Sequence, residues 1–505
     1  MFRFSWTPGL VILLLLCSAA CMVSKRQWQP SISAPNSAAE RIIGITTSDG
    51  SVKMFDRGYL ARIKDQTLYA QISRKPFEIP LAQVQRYWVE TRQLSVARTV
   101  GLVAGIGAVV AIVVVAAEVA KSGGFKMGSF GGGGCCLFVY SWDGSQYTFD
   151  AEAYTAAITR GLERDDYSVL AHLREQDGQY RLMISNDMDE TQFTNLLELW
   201  VVDHALGVQP RAGGNGTLYG LSEPLAPLSA RDGEGNDLLP WLKYRDKLIW
   251  EPAPVADRNG SLRREIVLTF PRPPLAGRGR LITSSTYTLW TGYMAGRNLQ
   301  LLGRDLPAWY REIDESPAAR NRLLDWMASD ELFALKVEVE EADGWQPRAL
   351  LPVSGPFTSD ERVVELDVSR AAGGNLRIRL RPPAGFWAFN SFAIDYGADA
   401  PLSVTRVPLA TARDEHGADL LPALAAADDR YYRMDTIGER AWVTFPAPPL
   451  QPGKDRTVFL HTRGYYLMHV PADGEPNWTA FEQIMQEPGA GARASAEAYA
   501  RLKRF

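Results

Sequence analysis

A chain of 505 residues has room for three or four folding units at roughly 100–200 residues each. With 46% hydrophobic and 22% charged residues it can build a sizeable core, which excludes a mainly disordered chain. The net charge of −4 is uneven: residues 1–134 carry an excess of Lys and Arg, the remainder is acidic, and an acidic surface repels phosphate backbones, so the larger part is not a nucleic-acid binder.

The N-terminus reads as a secretory signal over residues 1–21. Arg3 supplies the positive end, the run from Gly9 to Leu16 the apolar part, and Ser18-Ala-Ala20 the small residues before cleavage. Cys21 comes directly after them. This ending resembles the bacterial lipobox, in which the cysteine is diacylated and becomes the first residue of the mature protein. The resemblance departs at Ser18, where that pattern favours Leu. Plain secretion with an incidental cysteine, or an uncleaved anchor, are the alternatives. Met22 in place of Asp permits, by the same resemblance, sorting to an outer membrane, and two acyl chains suffice for stable anchoring.

Residues 22–40 are rich in Ser, Pro and Ala and read as a tether. From 41 to 96 short alternating runs separated by turns, such as Ile43-Gly-Ile45 and Val52-Lys-Met-Phe55 around Asp49-Gly50, predict a small β-barrel-like module. Residues 100–117 contain no charge, and Gly101 and Gly105 have the spacing of close helix packing in a membrane. A hydrophobic, membrane-associated helix is expected over 97–121. It reaches the spanning threshold of about 18–20 residues only just. Arg86, Arg92 and Arg98 would hold its N-terminal side in the cytoplasm, whereas the leader exports that side. A true span, a helix dipping into the bilayer and a helix buried in an oligomer all remain open. A Gly-rich linker fills 122–134.

The rest of the chain is written twice. Arg231-Asp-Gly-Glu-Gly-Asn-Asp-Leu-Leu-Pro240 returns as Arg413-Asp-Glu-His-Gly-Ala-Asp-Leu-Leu-Pro422. Thr269-Phe-Pro-Arg-Pro-Pro-Leu275 returns as Thr444-Phe-Pro-Ala-Pro-Pro-Leu450, and Leu199-Trp-Val-Val-Asp203 as Ser391-Phe-Ala-Ile-Asp395. Three landmarks in one order mean a duplication. Short strands between Asp-Gly turns at 143–144 and 177–178 predict a jelly-roll-like β-sandwich over 135–300 and a second over 333–470. Trp309, Ile313, Leu323, Leu324 and Met327 recur at helical spacing, which makes 301–332 a helical connector; a helical tail occupies 471–505. The predicted fold is therefore mainly β: a small barrel-like module, one hydrophobic helix and two duplicated sandwiches. Leu376 to Asp395, two strands around Arg381-Pro-Pro-Ala-Gly385, resembles the strand-loop-strand ending of galactose-binding-like jelly rolls.

Phe138-Val-Tyr-Ser-Trp-Asp-Gly144, Phe149-Asp-Ala-Glu152 and Gly161-Leu-Glu-Arg-Asp-Asp-Tyr167 resemble a group of uncharacterised bacterial envelope lipoproteins, a likeness extending over most of 40–470. In that group Pro usually comes after the cysteine; here Leu137 comes after Cys136. The resemblance implies an envelope location and no activity.

Reactive constellations are scarce. The cysteines have no zinc spacing, the five histidines are scattered singly, and no nucleophile elbow occurs, so no metal or cofactor is expected. Asp232-Gly-Glu-Gly-Asn-Asp237 lacks the Gly and the final Glu of a calcium loop and reads as a turn, with Asp237 and Asp419 each capping a short helix or turn beyond it. Asp150, Glu152, Glu163, Asp165 and Asp166 form an acidic cluster, able to hydrolyse glycosides only if two carboxyls face each other at about 5–10 Å; a solvated acidic loop is the plain alternative. Phe386, Trp387, Tyr431 and Tyr432 are candidate aromatic platforms for sugar or peptide, against a role in core packing.

The expected function is that of a non-catalytic cell-envelope lipoprotein, a binding or scaffold protein. Its contacts would be membrane lipid, through Cys21 and residues 100–117, and an envelope protein or glycan; the Gly-patterned helix offers a route to a homo-oligomer. The alternatives are a carbohydrate-active enzyme using the acidic cluster and a bitopic membrane sensor.

Overall fold

The computed structural model describes residues 22–30, then 40–47, 52–55, 61–64, 66–72 and 75–94, and 137–502 without 247, 353, 359 and 360. Cys21, the run 100–117 and the linker 122–134 lie outside the described residues. Among those described, no helix is long and apolar enough to cross a membrane. The chain divides into two compact units, 1–127 and 128–505.

The N-terminal unit holds β1 (Met22–Pro30), β2 (Glu40–Thr47), β3 (Val52–Met54), β4 (Arg62–Lys64), β5 (Thr67–Ile72), β6 (Lys75–Pro80) and β7 (Val84–Leu94). They form a four-stranded sheet, β1-β7-β2-β3, and a three-stranded sheet, β4-β5-β6, around a shared core that includes Ile45, Leu68 and Val84. Two expectations change. Met22–Pro30 is an edge strand paired with Leu94 to Arg86 of β7, not part of a tether, because pairing to a long neighbour satisfies its backbone. The described strands form no closed barrel: β3 and β4 have three residues each, too few for the staggered pairing that closure requires.

The second unit reflects the duplication, but not as two self-contained segments. Its first quarter supplies β8 (Leu137–Trp142), β9 (Tyr147–Ala153), β10 (Arg164–Val169), β11 (Gln179–Ser185) and β12 (Glu190–His204). The second supplies β13 (Gln209–Gly213), β14 (Leu218–Leu221), β15 (Ser229–Asp232), β16 (Ile266–Pro271) and β17 (Arg278–Tyr287). The third supplies β18 (Ala334–Glu341), β19 (Gly344–Pro352), β20 (Glu361–Asp367), β21 (Asn375–Leu380) and β22 (Trp387–Asp395). The fourth supplies β23 (Leu402–Pro408), β24 (Thr411–Asp414), β25 (Tyr432–Met434), β26 (Arg440–Pro446) and β27 (Asp455–Met468).

The quarters pair as first with fourth and second with third. One body contains the sheets β10-β27-β12-β23, with β25 also on β12, and β24-β26-β11-β8-β9. The other contains β14-β13-β20-β17-β22 and β15-β16-β21-β18-β19. The strand orders β24-β26-β11-β8-β9 and β15-β16-β21-β18-β19 correspond member by member, and so do β10-β27-β12 and β20-β17-β22. Register corresponds too: Thr444 lies opposite Arg181, and its repeat partner Thr269 opposite Arg377. The duplicated segments have therefore exchanged halves, and the second body is inserted within the first. Neither 135–300 nor 333–470 builds its own pair of sheets, which corrects the expected division. Sequence likeness follows chain order, whereas hydrogen bonding follows space.

The duplicated turns behave alike. Asp232 and Asp414 accept from main-chain N–H groups two and four residues on, and Gly235 and Gly417 have φ of 82° and 81°. The left-handed conformation explains why Gly is kept in both copies. Asp237 and Asp419 accept from Leu239 and Leu421, the first residues of the one-turn helices α1 (Leu239–Leu242) and α5 (Leu421–Leu424).

Between the repeats lie α2 (Leu289–Gln300), α3 (Leu306–Glu315) and α4 (Pro317–Ser329); α6 (Trp478–Gln486) and α7 (Ala490–Leu502) form the tail. The helical connector thus begins earlier than expected, at Thr288, whose hydroxyl caps α2 by accepting from the Thr291 N–H. Trp326 donates to the Ile484 carbonyl and Trp290 to Ser495, tying connector to tail.

Candidate binding surface

The five acidic candidates divide between two tasks. Asp150 is buried and accepts from the Ala171 and His172 N–H groups, with His172 Nδ1 at 3.0 Å. Glu152, also buried, accepts from the Phe357 N–H at 2.9 Å. Asp166 meets Arg362 at 2.7 Å, both side chains 7% exposed. Phe357 and Arg362 belong to the second body, so Glu152 and Asp166 join the bodies. None of these three is a solvated loop residue.

Glu163 and Asp165 instead sit on the face of β10-β27-β12 turned away from Leu199 and Leu460, the far end of which, at Trp200, Val202 and Phe459, is buried against Ala212 and Leu218 of the second body. Alternation along the strands puts Asp165 and Tyr167 of β10 on one face with His461 and Arg463 of β27, which lie opposite them in register. Arg463 holds both acids, Nη1 to Asp165 at 2.8 Å and Nη2 to Glu163 at 3.1 Å. His461 lies between two carboxylates, Nε2 to Asp165 at 2.8 Å and Nδ1 to Glu198 at 3.3 Å, and its ring stacks on Tyr167. Glu198 also accepts from Trp200 Nε1 at 2.6 Å, and the Arg406 guanidinium covers the Trp200 ring at 4.8 Å.

An aromatic rim adjoins Glu163. Tyr431 donates to Glu163 at 3.1 Å and presents its edge to Tyr465, which stacks on Phe193 with centroids 4.5 Å apart. Arg160 lies over Tyr431 and Arg433 over Phe193. Asn195 is the extra residue of a bulge in β12, where pairing skips from Thr194 to Leu196. The bulge aims its amide at Glu163, 3.0 Å away. Asn195, His461, Arg463 and Phe193 were not singled out by sequence; only the register of distant strands assembles them.

The electrostatics favour holding over proton transfer. The hydrogen bond from His461, with Arg463 beside it, keeps the Asp165 carboxyl below its ordinary range. A glycosidase acid needs the opposite shift. Burial pushes the Tyr465 hydroxyl up to about 12, and burial with Glu163 nearby raises Tyr431, so both phenols stay protonated.

The remaining aromatic candidates are core residues. Phe386 is 3% exposed and Trp387 fully buried, its Nε1 donating to the Glu331 carbonyl. Tyr432 is buried and donates to the Arg440 carbonyl at 3.3 Å. Of the four, Tyr431 alone belongs to the open surface. Among the described residues no group of three or more His, Cys, Asp or Glu side chains is disposed to hold a metal ion. No protein-family model and no curated protein matches the chain.

Proposed function

We propose that this chain is a non-catalytic, lipid-anchored protein of the bacterial cell envelope that binds a glycan on the face of β10, β27 and β12 that carries Glu163 and Asp165. The observation that carries the reading is the junction of Arg463, Glu163 and Tyr431, where fixed donors and acceptors meet an aromatic rim. A hydroxyl-rich ring needs both: polar groups for its edges and aromatic surface for its C–H faces. Neighbours already hold each side chain, so little ordering remains to be done on binding.

We read each pair of sheets as the two layers of a jelly-roll-like sandwich. In support, one core joins Leu182 and Val443 of one sheet to Leu199 and Leu460 of the other. The anchor is assigned to a diacylated Cys21, with residues 100–117 as a further membrane contact, on the sequence pattern alone; the outer membrane or its periplasmic face is the favoured location.

The test is retention of the full-length protein on insoluble cell-wall polysaccharide and on a glycan array. Tyr431→Ala and Arg463→Gln should each weaken binding about tenfold, ~1.4 kcal/mol. A wild-type protein retained by neither support ends the glycan reading. Labelled palmitate should enter the wild type and not Cys21→Ala.

A further inference from the structure

The α4–β18 junction holds a polar pocket of about 150 Å³, lined by Arg263, Glu331, Lys336, Glu338 and Arg381. That is about ten times the ~10–15 Å³ which a single water requires. Glu331 is its centre. The Glu331 side chain is 6% exposed, with Arg263 Nη1 at 2.6 Å from one oxygen and Lys336 Nζ at 3.4 Å from the other. Its backbone has φ +58°, a conformation that residues with a Cβ avoid. Surrounding groups hold it there: Trp387 donates to the Glu331 carbonyl at 2.8 Å, and Arg263 Nη2 to the Asp330 carbonyl at 3.1 Å. Over-determined strain of this kind concentrates at ligand sites.

The charges do not balance around the pocket. Glu338 is taken by Arg379, Nε to carboxylate at 2.7 Å, and Arg379 also lies near Glu265. Counted together, Arg263, Lys336, Arg379 and Arg381 face Glu265, Glu331 and Glu338, an excess of one cation. Arg381 is exposed, and no described residue accepts from its guanidinium; its carbonyl, by contrast, is held by Arg263. Burial raises the Glu331 carboxyl, with Glu338 adding to the shift and Arg263 and Lys336 opposing it. The pocket is not inherited from the duplication. Its Lys336 and Glu338 stand on β18, whereas β8, the counterpart by sheet order, reads Leu137-Phe-Val-Tyr-Ser-Trp142 without a charge.

We propose that Arg263, Lys336 and Arg381 form a binding site for a small oxyanion, a phosphate or carboxylate group, for which the Glu331 carboxylate competes. Guanidinium forks suit planar and tetrahedral oxyanions, and Lys336 adds a point charge. The site is separate from the glycan surface, and neither proposal depends on the other.

The test is calorimetric titration of the full-length protein with inorganic phosphate and with acetate, at ionic strength held constant with chloride. Saturable phosphate binding is expected, about tenfold weaker in Arg381→Gln, whose side chain is exposed and donates to no described residue. Glu331→Gln should bind more tightly, since the competitor is gone while the shape stays. Acetate binding as tightly as phosphate would assign the group as a carboxylate, and weaker acetate binding as a phosphate. Vesicles separate the two sources: flotation greater with phosphatidylglycerol than with phosphatidylcholine alone, the excess lost in Arg381→Gln, marks a lipid headgroup, and equal flotation with both marks a soluble phosphate. Heats equal to the chloride control, equal affinity in wild type and Arg381→Gln, or weaker binding by a folded Glu331→Gln would overturn the proposal.

Discussion

Asp203 and Arg456 form a two-point ion pair across the seam of the first body, Nε to Oδ1 at 2.6 Å and Nη2 to Oδ2 at 2.9 Å. Asp203 is the last residue but one of β12, which closes the first quarter, and Arg456 is the second residue of β27, the last strand of the fourth. Asp395 and Arg280 repeat the arrangement in the second body, opposite each other in register and 3.7 Å apart. Each pair joins halves from different repeats. The exchange of halves is thus written into charge as well as strand order.

Asp203→Asn should destabilise the protein by about 3 kcal/mol, because a guanidinium only 14% exposed loses its counter-charge. Arg456 holds the Asp203 carboxyl below its ordinary 3.8. Its contribution is therefore complete above pH 3.8 and disappears as pH falls through the lower folded value. Urea unfolding between pH 2 and 7 should show the variant weaker at neutral pH, with a flatter acid limb. Equal acid limbs would remove this pair from the account.

The Asp166–Arg362 pair between the bodies makes a different demand. Arg362→Met should cost about 3–5 kcal/mol, since a buried carboxylate is left behind. Asp166→Asn combined with Arg362→Met should cost clearly less than Arg362→Met alone, because the amide oxygen can still accept from the Tyr154 N–H without carrying a charge. Thermal melts of the three variants measure the coupling. A double variant as weak as Arg362→Met would mean that lost packing, and not the stranded charge, dominates.

Gly464 lies where two backbones and a ring converge. A Cβ there would fall 2.4 Å from the Phe193 carbonyl oxygen and 2.8 Å from the Tyr154 ring. Tyr154 is itself fully buried, with φ 43°, and cannot yield easily. Gly464→Ala is expected to cost about 2–3 kcal/mol in overpacking. By forcing β27 away from β12 it should also disturb the Phe193–Tyr465 stack, so glycan binding and melting temperature should fall together. A variant that melts like the wild type would show that β27 shifts freely.

The strands and the duplication were legible because both are local. Asp-Gly turns at 143–144 and 177–178 mark hairpins, and Leu376-Arg-Ile-Arg-Leu380 alternates as a half-buried strand should. Helix α2 was hidden because Leu289-Trp-Thr-Gly-Tyr-Met294 mixes aromatic and small residues without a clean stripe. The exchange of halves leaves no local trace, because matching quarters carry the same pattern whichever partner they take. The surface was half legible. Glu163, Asp165 and Tyr431 stood out as residue types, but Arg463 and His461 lie about three hundred positions beyond the two acids and are placed by the β10–β27 register alone.

The insertion of one body within the other can be tested by removing it. His204 at the end of β12 lies directly opposite Leu402 at the start of β23. No strand of the first body falls between them. Replacing 205–401 with Asn-Gly should convert that seam into an ordinary two-residue hairpin, whose type I′ turn matches the strand twist. A chain of 137–204, Asn-Gly and 402–470 is then expected to fold as a monomer with a cooperative thermal transition. Its stability should fall below that of the intact protein, since Glu152 and Asp166 lose their partners on the second body. The contiguous segment 135–300 holds the first and second quarters, which pair with other quarters in the intact protein. If the contiguous segment folds as a cooperative monomer and the hairpin-joined chain does not, the two bodies are not the units in which this duplicated region folds.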